Sequence, residues 1–493
     1  MQEKLLRILR QAGLAALVTT LASCASVPPV SLESAAEALK VADTKAISFA
    51  GTGSWYQFGQ APAPGTAWPA FAVSRFSADI DYATAAARVQ ITRRQVNEPG
   101  RERPAPVDQQ VDQYVAGTQA WNRSVTAPTA APTAQPAAVA ERAAEIWSTP
   151  QGFLKAAVAN KASTRDTRNG TEVSFSVGGK TRYVGLLNGK GQVERVQTWI
   201  DTPVLGDTLV ETRFSDYIDF GGLPFPTKIV RSQGGYPVLD LQVTQVKRNP
   251  ALSLGVPPEV ASAAAPAITV TSTKLADGVY YLTGGTHHSV LIEQRDHLVL
   301  VEAPLNEARS LAVIAKSKEI APNKPIKYLV NSHVHFDHSG GVRTLVDEGA
   351  IIVTHQANKA YYEQAWAAPR TLNPDRLSAS GKAARFETFS GKHVLTDGRR
   401  SIEVIEIAGS GHNDAFALVY LPAEKILIEA DAYTPTAANV PVPTPLNPYT
   451  VNLYQNVQKL GLDVAQIAAL HGPRVVTLAD LRAAAGATTT AQR

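Results

Sequence analysis

Cysteine is almost missing: the 493 residues contain one, Cys24. A single thiol cannot close an internal disulfide. Histidine is missing from the whole first half, since all ten lie at position 287 or later. That half therefore holds no imidazole cluster, and a scaffold or binding role suits it better than catalysis. Long apolar runs are also missing. Beyond the leading segment no stretch reaches the roughly 18 uninterrupted apolar residues that a spanning helix needs. Charge of one sign is scarce. The formal net charge is +4, and residues 1–23 hold Lys4, Arg7 and Arg10 against Glu3. The remaining surplus is too small for the basic face that nucleic acid requires. What is there is an ordinary globular mixture, 44% hydrophobic and 18% charged, long enough for two or three domains.

The leading segment reads as an export signal. Its basic residues precede the apolar run Ala12–Ala22, which is too short to span a bilayer. The run ends in Leu21-Ala22-Ser23-Cys24, which resembles the lipobox of bacterial lipoproteins. That resemblance implies cleavage before Cys24 and acylation of it, with each buried methylene contributing about 0.8 kcal/mol of anchoring. It implies a protein held on the cell envelope and facing the periplasm. Ala25 and Ser26 after the cysteine favour the outer membrane over the inner.

Five segments follow from the pattern: a signal segment at 1–23, a tether at 24–44, a β-rich domain at 45–255, a linker at 256–267 and a second domain at 268–485. In the first domain Phe76–Tyr82, Arg88–Thr92, Glu172–Val177 and Leu239–Val246 alternate apolar and polar residues, the signature of half-buried antiparallel strands. Residues 125–138 read as a low-complexity loop, and Val139–Trp147 as a helix. Tyr217–Val246 faintly resembles the curved sheets of periplasmic lipoprotein-handling proteins. Beyond the Pro- and Ala-rich linker the pattern changes to strands alternating with helices. Mixed strands with helical cover predict an αββα sandwich, two facing sheets with helices outside.

The densest chemistry is Asn331–Gly341, where His333, His335, Asp337 and His338 fall within six residues behind the apolar run Ile326–Val330. Imidazole and carboxylate are the ligand types that suit zinc and similar divalent ions. Three further strand-like runs each deliver one such group just past their ends: His412 after Ile402–Ile407, Asp431 after Lys425–Ala430, and His471 after Gln466–Leu470. Sheet proteins build sites on loops held by such a frame. Glycines 340, 341, 409, 411 and 472 border these groups.

In order and context this set resembles the metallo-β-lactamase-fold superfamily, over roughly residues 268–485. The resemblance implies two divalent ions, zinc first, with iron or manganese as alternatives. His333, His335 and His412 would hold one ion, Asp337, His338 and His471 the other, and Asp431 would bridge them. A hydroxide shared between the ions would attack a carbonyl, with Asp337 as the catalytic residue that orients it. Asp431 stands where some β-lactamases carry Cys or Ser, which tilts the expectation towards esters, lactones and thioesters. Glu302 stands near the family's usual supporting Asp and has a longer arm. Tyr433 and His288 are candidate substrate contacts, and His287 shares with His288 a strand start that faces the expected cleft mouth. The Pro-rich Thr434–Tyr449 and the segment Gln364–Leu377 are candidate pocket walls. Three other readings stay open: β-lactam hydrolysis by the same groups, a mononuclear iron thiol dioxygenase, and a non-catalytic envelope-binding lipoprotein. Seven ligands on a Gly-bordered rim suit an open site better than a closed, four-coordinate structural one.

Overall fold

The computed structural model describes residues 27–487 except Pro106, Ala265, Pro266 and Asn439. The leading segment and Cys24 lie outside the described residues. No helix among the described residues is long and apolar enough to cross a membrane.

The alternating strands of the first half form one 13-stranded antiparallel sheet made of two meanders. Six strands step outward from Ala46–Tyr56 to the two-residue Thr133–Ala134. The chain then crosses to Ser163–Thr167 at the other edge and steps back. Its last strand, Tyr236–Arg248, pairs with Ala46–Tyr56 along a central seam. Alternate residues such as Val173, Phe175, Leu239 and Leu241 face one core, which helices Leu32–Ala38 and Pro150–Ala159 cover. Thr149 starts the second helix by accepting from Gly152 N, with Pro150 at the first position, the usual N-terminal grammar.

Two details differ from the sequence reading. Leu32, Ala35 and Leu39 are buried in this core, so part of the stretch assigned to the tether belongs to the domain. Three apolar contacts on a seven-residue helix are too few to stand out as periodicity. The low-complexity stretch also holds an edge strand, Thr133–Ala134, too short to show alternation.

The second half is the four-layer arrangement that the alternation of strands and helices predicted. A seven-stranded sheet runs from Thr271–Ala276 to Arg385–Phe389, and a six-stranded sheet runs from Lys392–Thr396 to Val476–Thr477. Period-two side-chain alternation builds the layers. In strand Leu298–Val301, Val299 and Val301 face the second sheet, while Leu298 and Leu300 face helices Glu307–Ile320 and Val342–Glu348. Helices Pro448–Lys459 and Leu478–Ala484 cover the second sheet. Strands Leu298–Val301, Ile326–Val330, Ile351–His355 and Arg385–Phe389 are parallel, so they end at one edge. In the other sheet Ile426–Glu429 and Gln466–Ala469 are also parallel. The groups just past these ends meet in one cleft.

Candidate metal centre

Strand Ile326–Val330 runs into buried Asn331, whose side-chain carbonyl accepts from Tyr362 Oη at 2.5 Å. Ser332 follows, its N–H donating to Glu302 Oε1 at 2.5 Å. Glu302 ends the neighbouring strand in the left-handed region, φ 69°, with no exposed surface. A non-glycine residue held there costs of order 1–3 kcal/mol, so the surroundings must hold it in place. Its other oxygen takes His338 Nδ1 at 2.9 Å. That contact leaves His338 Nε2 facing Asp431 at 3.1 Å. Ser332 Oγ lies 2.8 Å from His333 Nδ1, which leaves His333 Nε2 facing inward.

The inward atoms converge. His333 Nε2 lies 3.2 Å from His412 Nε2, and Asp431 Oδ2 is 2.9 Å from His412 Nε2 and 3.5 Å from His333 Nε2. His335 turns its Nε2 to the Ala61 carbonyl at 2.9 Å, and its buried Nδ1 has no hydrogen-bond partner. Asp337 Oδ2 lies 3.2 Å from His287 Nε2, and the His287 ring packs 4.1 Å from that of His471. Three overlapping groups result, each with ligand atoms within 4.8 Å of one another. They are His333, His335, His412 and Asp431; His287, Asp337 and His471; and Asp337, His338 and Asp431.

The electrostatics suit cation binding. Burial pulls His333 down to about 4. Burial and then the neighbouring His333 and His412 hold His335 well below the ordinary range. Both are therefore neutral, the form that ligates a metal. Burial also opposes charge on His338, but Asp431 and Glu302 outweigh it and hold its pKa well above the ordinary value. For Asp337 burial is offset by His287 and His338, and for Asp431 by His338 and His412, so both carboxyls stay ionised. Two half-buried carboxylates, an orphaned buried imidazole nitrogen and two imidazole nitrogens facing each other are an incomplete set on their own. Divalent ions would complete it. The donors are nitrogen and oxygen without thiolate, which fits zinc, iron or manganese.

One consequence is measurable. His338 must lose its extra proton to ligate through Nε2, whereas His333 and His335 are already neutral. Zinc titration near pH 7 is expected to release at least about one proton per chain, from His338, with any further release coming from bound water. Calorimetry in buffers of different ionisation enthalpy reads this directly, and zero release would contradict the assignment. In the metal-free protein the charge on His338 adds stability that is complete below its unfolded value, ordinarily 6.5. That stability fades as pH rises through the raised folded value.

The structure gathers all seven expected ligands, His333, His335, Asp337, His338, His412, Asp431 and His471, at one edge. It does not bring the two tentative substrate residues into the cluster. Tyr433 packs in the core between the second sheet and its helices, and His288 donates from Nε2 to Gly472 O at 2.7 Å, beside Tyr281. Of the pair it is His287 that faces the cluster, through its backbone bridge to His471 and its Nε2 at Asp337. Tyr449, at the end of the expected wall Thr434–Tyr449, has its ring 5.3 Å from that of His412. Sequence reading passes over Gln60, Ala61 and Arg101, which come from the histidine-free half. Arg101 donates to Gly411 O at 3.3 Å and to Asp414 Oδ1 at 2.8 Å. Gly411 is required here: a Cβ would sit 2.0 Å from Glu102 O. No single-residue signal marks such contacts between segments 300 positions apart.

Residues 282–450 match the family model described as the metallo-beta-lactamase superfamily. The C-terminal part of the chain thus carries a domain of that superfamily, preceded by a large β-rich region. Among solved structures, a metallo-beta-lactamase from Pontibacter korlensis is 19% identical, with 44% of this chain and 98% of that chain covered and a TM-score of 0.35. The metallo-beta-lactamase FIM-1 from Pseudomonas aeruginosa in its mono-zinc form is 20% identical, with 44% and 94% covered and a TM-score of 0.34. A metallo-beta-lactamase from Hirschia baltica is 20% identical, with 44% and 97% covered and a TM-score of 0.33. No curated protein matches the chain.

Proposed function

We propose that this chain is a metal-dependent hydrolase that cleaves a carbonyl substrate, an ester, lactone, thioester or amide, at a two-ion centre. The observation that carries the reading is the overlap of the ligand groups. Asp431 belongs to both the His333 group and the His338 group, and Asp337 belongs to both the His338 group and the His471 group. Shared carboxylates are what two neighbouring cations need. His333, His335 and His412 would hold one ion, Asp337, His338 and His471 the other, with Asp431 between them. Divalent ions bound there lower the pKa of water towards neutrality and polarise a carbonyl.

The chain's own groups then act on water and substrate. Asp337 stays ionised and accepts a hydrogen bond from the attacking water, which orients it. His287 sits against the other Asp337 oxygen and limits its rotation. Glu302 sets the tautomer of His338, and Ser332 orients His333 with Nε2 inward. Tyr449 and the Arg101 loop form a wall beside His412. An oxygen ligand at 431, rather than a thiol, supports the preference for esters, lactones and thioesters over β-lactams.

Purified protein should contain about two divalent ions per chain and turn over members of an ester, lactone and thioester panel. His335→Ala should lose that turnover, because Nδ1 of His335 is the buried nitrogen left free for a ligand. Metal-loaded protein that is inert towards every carbonyl compound tested would end this reading.

A further inference from the structure

The histidine-free first domain reaches into the metal centre. The segment Gln57–Pro69 joins its strands Ala46–Tyr56 and Ala70–Asp81 and is itself firmly held. Gln57 N donates to Pro69 O at 3.0 Å, and buried Trp68 donates from Nε1 to Gln233 O at 3.1 Å. Phe58 and Trp68 pack edge-on against Phe336, with ring centroids 5.1 and 5.7 Å away. Phe336 stands between the ligands His335 and Asp337. Its N–H donates to Gly59 O at 3.1 Å. Gly59 has φ +83°, and a Cβ there would lie 2.7 Å from the Phe336 ring.

The next two residues touch the ligands themselves. Gln60 donates from Nε2 to Asp337 Oδ1 at 2.8 Å, the oxygen that His287 leaves free. The Ala61 carbonyl accepts from His335 Nε2 at 2.9 Å and from the buried Asn413 amide at 3.0 Å. It therefore fixes the proton of His335 on Nε2 and presents Nδ1 inward. It also ties the loop of His335 to the loop of His412.

We infer that Gly59–Ala61 of the first domain is a working part of the metal centre, with Gln60 as a positioning residue for Asp337 and Ala61 O as the setter of His335. The inference rests on the proposed two-ion reading and extends it, because it gives the first domain a task. Outer hydrogen bonds of this kind orient ligands, and their loss typically weakens metal binding by about 10–100-fold.

Full-length Gln60→Met keeps the length of the side chain and removes the donor; Gln60→Ala removes both. Metal-stripped wild type, both variants and Thr66→Ala are titrated with Co2+ against a competing chelator while visible absorption is recorded. Thr66 bonds only Ala63 within the same loop, so it controls for general loop disturbance. In both Gln60 variants one of the two Co2+ sites, the one Asp337 would serve, is expected to lose about 10–100-fold in affinity, with a changed cobalt spectrum. Thr66→Ala should match wild type, and unfolding of the metal-stripped Gln60→Met protein should not shift. Wild-type affinity and spectrum in both Gln60 variants would overturn the inference while leaving the two-ion reading intact. An equal loss in Thr66→Ala would also overturn it. Failure of wild type to bind Co2+ would bring down both.

Discussion

Asp431→Ala is expected to leave at most one divalent ion per chain and to cut hydrolysis by about 10³-fold or more, beyond the 10–100-fold cost of losing an outer hydrogen bond to a ligand. The residue sits just past strand Ile426–Glu429 and lies within 3.5 Å of His333, His338 and His412. Among the described residues no other side chain belongs to both the His333 and the His338 groups. On the proposed two-ion reading, removing Asp431 would take an oxygen from both ions at once and leave their repulsion uncompensated. Asp431→Asn keeps the volume and removes the charge, so it separates packing from electrostatics. Both variants should show the same loss of metal by elemental analysis. Retention of two ions and full turnover in either would place the shared carboxylate elsewhere.

The second large effect belongs to Glu302. Glu302→Ala strands the Ser332 N–H and removes the partner of His338 Nδ1, both in a region without solvent. Deleting one member of a buried charged pair typically costs about 3–5 kcal/mol. The metal-stripped variant should unfold at markedly lower denaturant than metal-stripped wild type. Metal affinity should fall too, because nothing then fixes the tautomer of His338. Glu302→Asp has the shorter arm and should recover only part of both. An unchanged denaturant midpoint in Glu302→Ala would show that the left-handed turn is not held by these contacts.

Much of the second domain could be read before the structure. The four expected ligands within Asn331–Gly341, and the single expected ligand after each of three later strands, stand out because imidazoles and carboxylates gathered at strand ends have no packing purpose. The αββα layers were legible because buried runs such as Leu298–Val301 and Ile326–Val330 alternate with helical patterns. Illegible were the contacts that depend on tertiary approach. His287 and His288 differ only in which face of the chain they take, and this is decided by the pairing of His287 with His471 and the bond from His288 N to Leu470 O, contacts about 180 positions away. Tyr433 follows a ligand in sequence, but the turn after Ala432 carries its ring into the core. Gln60 and Ala61 carry no motif, since a lone amide and a backbone carbonyl acquire chemistry only from what comes to rest against them.

The seam between Ala46–Tyr56 and Tyr236–Arg248 bears on the order of assembly. The hairpin that carries Gln60 is locked only when residues nearly 200 positions apart have met. Long-range pairing of this kind is slow, yet domains tend to fold as units during synthesis, N-terminal first. Every residue of the seam precedes all seven expected ligands in the chain. A first domain that folds as a unit would thus be the template against which the later loops settle.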